Sequence, residues 1–305
     1  MRPEYIFIAG MEKCGSTALA GWLISNRIAR YPREGVKEPY DYARPKVISW
    51  PPATDGMPLL DASVGYAMSE RAIDALPEHA TKIIVCLRNP LERAWSAYLM
   101  KKMAMQDASA SAEMARQYDQ LATGRSSGGW SVDERAEQNA LRSFPRRSAE
   151  HVRKHFKTEV ERLKNSDFAS RVRYEQSFQL TFREYPFLSV MACSFYYWSL
   201  KKLLEKYQPE DVLVLSVARL SSSEAREHFM TQLIGEPKAM PEVPFGFSTR
   251  DFPFAEERPD FHEEQWAPLR DAFRFDHECY RSLLSSRGVD DSLLDWDELG
   301  RYLDV

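Results

Sequence analysis

Tyr5-Ile-Phe-Ile-Ala-Gly10-Met-Glu-Lys-Cys-Gly15-Ser-Thr-Ala-Leu-Ala-Gly-Trp-Leu-Ile24 stands near the start of the chain, and the change of period inside it decides the fold. Tyr5 to Ala9 is an unbroken apolar run of the kind needed by a parallel strand buried on both faces, whereas Leu19, Trp22 and Leu23 recur at helical spacing. Gly10 and Gly15 bound the turn between them. A strand that feeds a helix through such a turn aims backbone N–H groups and the positive end of the helix at one point, which is how an anion is held. The stretch therefore predicts an α/β fold with a phosphate cradle.

The loop that binds nucleotide triphosphates reads G-x-x-x-x-G-K-[ST], its lysine reaching the outer phosphates. Here Ser16 stands where that lysine belongs, and the turn's one lysine is Lys13, between the glycines. This argues against an ordinary ATP or GTP hydrolase and for a ligand whose reacting group sits inside the loop. A second stretch, Lys82-Ile-Ile-Val-Cys-Leu-Arg-Asn-Pro90-Leu-Glu-Arg-Ala-Trp-Ser96-Ala-Tyr98, reads as a strand over Lys82 to Leu87 and then a helix with Pro90 in its first turn. Arg88 falls at the C-terminal end of that strand, where open α/β sheets bind ligands. Leu91, Ala94, Trp95, Tyr98 and Leu99 make the helix's apolar stripe. Ser96 lies off it, as expected of a hydroxyl that faces a ligand.

Together and in this order, the two stretches resemble the sulfotransferases that use 3'-phosphoadenosine 5'-phosphosulfate (PAPS). The resemblance implies a three-layer α/β/α P-loop-like fold with a mostly parallel central sheet. It implies that Lys13 lies by the oxygen bridging sulfur and the 5'-phosphate, that Cys14, Gly15, Ser16 and Thr17 complete the 5'-phosphate site, and that Arg88 and Ser96 grip the 3'-phosphate. An arginine suits this role because its fork donates two parallel charge-assisted hydrogen bonds to phosphate oxygens. The products are a sulfate ester and adenosine 3',5'-bisphosphate, and no metal is required.

Val36-Lys-Glu-Pro-Tyr-Asp-Tyr42 is similar to a Lys-Glu-Pro-His-aromatic segment of the carbohydrate (heparan-sulfate-type) O-sulfotransferases, with Tyr40 in the place of the histidine. By that likeness Glu38 is the base that takes the acceptor's proton; the plainer reading is a solvated glutamate at a strand end. Leu59 to Ser63 is similar to a short strand of the family, but Ala62 stands where glycan enzymes often have lysine, so acceptor specificity does not carry over. Asp61 either positions acceptor hydroxyls or caps a helix. Tyr196 and Tyr197 either approach the adenine or pack in the core. Relatives close a late loop on the phosphates with Lys-Gly or Arg-Gly; this chain offers only Arg250 and Arg258 there.

With 305 residues, 44% hydrophobic and 28% charged, the composition is that of a soluble globular protein with a sizeable core. It reads as a single domain, 1–305, with an alanine-rich, charged helical lobe inserted at 104–190 on the acceptor side. In that lobe Ser126 to Gly129 marks a break and Val152, Phe156, Val160 and Leu163 recur at helical spacing. Arg142, Arg146, Arg147, Arg153 and Lys154 either hold an anionic acceptor or form a solvated face. His151 and His155 lack the glutamate of a zinc-binding helix and read as part of a basic face.

A net charge of -4 gives no global field for nucleic acid or membranes. Four scattered cysteines, no leader and no membrane-length apolar run lead to the expectation of a cytoplasmic, bacterial-type soluble form. The expected partner is a small-molecule or glycan acceptor. Two rivals share the motifs: a P-loop small-molecule kinase, and a non-catalytic nucleotide-binding interaction protein.

Overall fold

The computed structural model describes residues 3–44, 46–51, 56–106, 149–182, 185–186, 188–244 and 256–305. Among them, four strands form one sheet: β1 (Tyr5–Gly10), β2 (Leu59–Asp61), β3 (Thr81–Cys86) and β4 (Val212–Leu215). Their order is β2-β1-β3-β4 and every pairing is parallel, with Tyr5 opposite both Leu59 and Thr81 and Ile83 opposite Val212. Every residue of β1 is buried, as its uninterrupted apolar sequence requires of a strand flanked on both sides. β1, β2 and β3 fall on the stretches that read as strands in the sequence.

This order contains one reversal. From β1 the chain moves outward to β2, then steps back over β1 to reach β3 and continues to β4. Right-handed crossovers of opposite direction put their helices on opposite faces of the sheet, giving the three-layer α/β/α arrangement. The crevice where the order reverses, between the C-terminal ends of β1 and β3, is where such sheets hold ligands. At that end β1 carries one extra residue, since Ile8 faces Ile84 while Gly10 faces Val85. The irregularity bends the chain as it enters the glycine turn.

Nine helices are described: α1 (Ser16–Ser25), α2 (Glu70–Ala75), α3 (Pro90–Gln106), α4 (Ala149–Asn165), α5 (Phe168–Phe182), α6 (Tyr197–Lys206), α7 (Ser223–Ile234), α8 (Ala267–Arg287) and α9 (Trp296–Gly300). Asn89 starts α3, its side-chain oxygen accepting from the N–H groups of Leu91 (3.1 Å) and Glu92 (3.2 Å), with Pro90 as the first helical residue. Trp266, Leu269, Phe273, Tyr280 and Leu284 are buried, and Gly288, at φ 68, ends α8.

In the region 104–190, α3 extends to Gln106, and α4 and α5 follow one another, separated by Ser166 and Asp167. Arg171 joins them, its Nε 2.6 Å from Glu175 and its Nη1 3.3 Å from Glu159. The predicted break at Ser126 to Gly129 and the arginines at 142, 146 and 147 lie outside the described residues, as do the side chains of His151, Val152, Arg153 and Phe156. Among the described residues no helix is long and apolar enough to cross a membrane.

Candidate active site

The turn between β1 and α1 is shaped by backbone conformation and by the floor beneath it. Lys13 and Gly15 both have positive φ, 69 and 91. A Cβ on Gly15 would lie 2.9 Å from Val217 Cγ2, so both conformation and space demand glycine there. Gly15 immediately precedes α1 and no side chain caps it, leaving the first N–H groups of the helix, at Ser16 and Thr17, aimed outward. Gly15 and Thr17 are exposed whereas Ser16 is buried. Cys14 braces the turn from inside: its N–H donates to Met11 O (3.2 Å) and its thiol lies 3.9 Å from the Tyr196 hydroxyl. Burial pushes that thiol up to about 12, so Cys14 is not a thiolate.

Helix α3 holds this turn against the second motif. Arg93, fully buried, donates through Nε to Glu12 O (3.0 Å) and through Nη1 to Val190 O (3.0 Å) and Ser194 Oγ (3.3 Å). Lys101 Nζ meets both Glu12 carboxylate oxygens, at 3.0 and 3.1 Å. The Val190 segment is gripped from the other side by Glu175, which accepts from the N–H groups of Val190 (2.8 Å) and Met191 (3.0 Å), so the lobe helix α5 is tied to the turn through one short stretch.

Arg88 stands two residues beyond β3, its side chain 37% exposed, with Nη2 3.6 Å from Glu92. Its carbonyl accepts from Tyr196 OH at 2.7 Å. Asn89 ties the same corner to α9, its N–H reaching Glu298 Oε1 and Oε2 at 3.1 Å and its side chain donating to Arg301 O at 2.6 Å. Arg258 binds Glu92 directly and lies 2.6 Å from Tyr302 OH, which brings the late segment to the same carboxylate as Arg88. Arg250 lies outside the described residues.

Four cations therefore converge on the crevice. Burial is the largest cause lowering the Lys13 ammonium; Glu12 opposes it, while Arg88, Lys101 and Arg93 lower it further. A desolvated lysine among three other positive side chains is a site that gains by accepting an anion.

The third segment approaches from the β2 side. Lys37 O accepts from Ala62 N (3.0 Å), just past β2, while the Lys37 ammonium is near enough to act on the Cys86 thiol at the end of β3. Lys37 and Glu38 therefore lie at the C-terminal edge of the sheet, on the β2 side of the turn. Glu38 is held at both oxygens, by Lys37 Nζ at 2.6 Å and by Tyr40 OH at 2.9 Å. Tyr40 N in turn donates to Ser63 Oγ (3.0 Å).

Asp61 neither faces an acceptor nor caps a helix. It is fully buried, accepts from Ser63 N (2.8 Å) and Tyr66 OH (2.7 Å), and closes the turn after β2. Burial raises its carboxyl to about 7, those hydrogen bonds opposing.

Two further positions differ from their sequence reading. Ser96 is only 2% exposed: α3 is buried on the sides beyond its apolar stripe as well, including Arg93 and Ala97, so a place off the stripe is not a place in solvent. Tyr196 is a core residue, packed edge-on to Tyr280 at 5.7 Å, rather than an adenine platform. Glu12, Arg93 and Lys101 were invisible to motif reading because they are joined across 81 and 89 residues. The one available signal was a carboxylate inside an anion loop, which needs a counter-charge from elsewhere. Among the described residues there is no group of three or more His, Cys, Asp or Glu able to hold a metal ion.

Comparison with known proteins adds the following. No family model matches the chain, and no curated protein does. Among solved structures, the crystal structure of a sulfotransferase from Alicyclobacillus acidocaldarius matches with a TM-score of 0.49 at 20% sequence identity, covering 96% of this chain and 98% of that one.

Proposed function

We propose that this chain is a PAPS-dependent O-sulfotransferase acting on an acceptor hydroxyl, on a carbohydrate or glycosylated metabolite, with the segment 104–190 as its acceptor-side lobe. The observation that carries the reading is the gathering of Lys13, Arg88, Arg93 and Lys101 at the crevice between β1 and β3, with Lys13 inside the turn rather than after it. The residues fit such a donor at two points: the turn, where Gly15 is sterically required and α1 presents uncapped N–H groups, and Arg88, a strand away. The 3'-phosphate distinguishes this donor from ATP, and a half-exposed arginine at the β3 end is the group to read it.

The donor brings a sulfuryl group already activated as a mixed anhydride with phosphate. Lys13 lies where negative charge grows on the oxygen being released, and its burial strengthens that interaction relative to water. The N–H groups of Gly15, Ser16 and Thr17 hold the 5'-phosphate, with Cys14 bracing the turn. Glu38 accepts the acceptor's proton; Lys37 and Tyr40 fix its carboxylate, Tyr40 standing where the similar glycan segments have a histidine. A kinase is disfavoured by Ser16 at the lysine position and by a β3 strand that leads into a cation.

Purified protein supplied with PAPS and a panel of hydroxylated glycans and glycosides tests this, with release of adenosine 3',5'-bisphosphate as the signal. The expected result is acceptor-dependent release that disappears in Lys13→Ala. Tight bisphosphate binding with no transfer to any acceptor would turn the assignment into a binding protein, and indifference to the nucleotide would end it.

A further inference from the structure

A carboxylate inside a turn built for anions is out of place on electrostatic grounds, since a like charge next to a bound phosphate costs affinity. The structure shows where that charge goes. Both oxygens of Glu12 are occupied by Lys101, whose side chain is almost wholly buried, and Arg93 lies 3.9 Å away while also gripping the Glu12 carbonyl through Nε at 3.0 Å. The carboxylate is thus drawn toward α3, and the backbone turns over at the next residue, where Lys13 has φ 69. Two cations of α3, buried at a cost of several kcal/mol if left uncompensated, acquire their counter-charge from the turn itself.

We propose that Glu12 is the positioning residue of this site: by pairing with Lys101 and Arg93 it fastens the turn to α3 and holds Lys13 in its left-handed place at the crevice. The proposal rests on the anion-site reading above and extends it. Charged groups face Lys13 from three elements: Glu12 from its own turn, Arg88 from the end of β3, and Arg93 and Lys101 from α3. Only Glu12 among these is negative. Its removal takes a negative charge away from Lys13, which lowers the ammonium further; removal of Lys101 takes away a positive one and does the reverse. Because α3 also begins at the Arg88 corner, the same helix sets the spacing between the two points of anion contact.

The experiment measures the ionisation of Lys13 itself, independently of turnover. Wild type, Glu12→Gln, Lys101→Met and the double variant are trace-labelled with acetic anhydride across pH 6 to 11, and the Lys13 peptide is quantified by mass spectrometry; each sample is also titrated with adenosine 3',5'-bisphosphate. In Glu12→Gln the midpoint of Lys13 labelling should fall by about one pH unit or more. In Lys101→Met it should rise, and the double variant should lie between the two. An unchanged midpoint in Glu12→Gln overturns the proposal. Should Glu12→Gln fail to fold, an unchanged or lowered midpoint in Lys101→Met overturns it equally. If the midpoints move as stated while no sample binds the bisphosphate, the electrostatic role of Glu12 stands and the donor assignment falls.

Discussion

The turn after β1 and the segment that carries Glu38 both lie at the C-terminal edge of the sheet, yet they are built differently. The turn is shaped by backbone torsion and fastened by charge: Gly15 fits only as glycine over Val217, and Glu12 locks to Lys101 and Arg93. The Glu38 side is held by hydroxyls, Tyr40 OH on Glu38 and Tyr66 OH on Asp61, and by ion pairs closed within it, Lys37 with Glu38 and Arg33 and Arg44 with the buried Asp41. The contrast matches the division of labour proposed here. A donor that carries several negative charges suits a charged, glycine-shaped cradle, whereas a hydroxyl acceptor suits a face whose charges are already paired with one another.

That comparison breaks most visibly at the two ends of the reaction. Lys13→Ala should lower kcat by about 10³-fold with bisphosphate affinity largely retained, because its interaction grows as the leaving oxygen gains charge; single-turnover transfer and calorimetry on the same sample check this. Glu38→Gln should lower kcat by about 10²-fold, again with bisphosphate affinity unchanged, since its partners Lys37 and Tyr40 are not among the groups that hold the turn. An equal loss of nucleotide binding in both variants would erase the distinction between the two faces. Arg88→Ala should act on the donor alone, weakening the bisphosphate by about 10-fold or more, as expected for a hydrogen bond to a charged group, while adenosine 5'-monophosphate is barely affected.

The smallest effect concerns pH. Asp61, at about 7 when folded against 3.8 as its ordinary value, binds more protons in the native state between those pH values, so its contribution to stability is present at low pH and is lost as pH rises toward 7. Asp276, raised to about 7 mainly by burial, acts in the same direction. The melting temperature should therefore decline from pH 5 to 8, and Asp61→Asn should flatten part of that slope by a few degrees. Preservation of the full slope in the variant would remove Asp61 from the pH response.

What the sequence made legible was whatever the chain encodes locally. The strand-turn-helix at Tyr5 to Ile24, the Arg88-Asn89-Pro90 corner, and the helix ending at Gly288 each carry their signal within a few residues, as a change of period, a proline at a first turn or a glycine at a helix end. Side-chain roles that depend on distant partners were not legible. Asn89 reaches the C-terminal helix across more than two hundred residues, and Glu12 finds its cations on α3. Periodicity failed in one instructive place, for α3 is enclosed on sides that the stripe rule assigns to solvent, and so Ser96 and Arg93 are both buried. Asp61 and Tyr196, each with two readings in sequence, are decided by burial that only the packed fold reveals.

The central claim is that one nucleotide spans the turn and Arg88, and the most direct test is isothermal titration calorimetry of the intact protein with adenosine 3',5'-bisphosphate and, separately, adenosine 5'-monophosphate. Saturable 1:1 binding of the bisphosphate, at least about 10-fold tighter than the monophosphate and reduced to the monophosphate level by Arg88→Ala, is the predicted result. Absence of heat with the bisphosphate, or equal affinity for the two nucleotides, would contradict it.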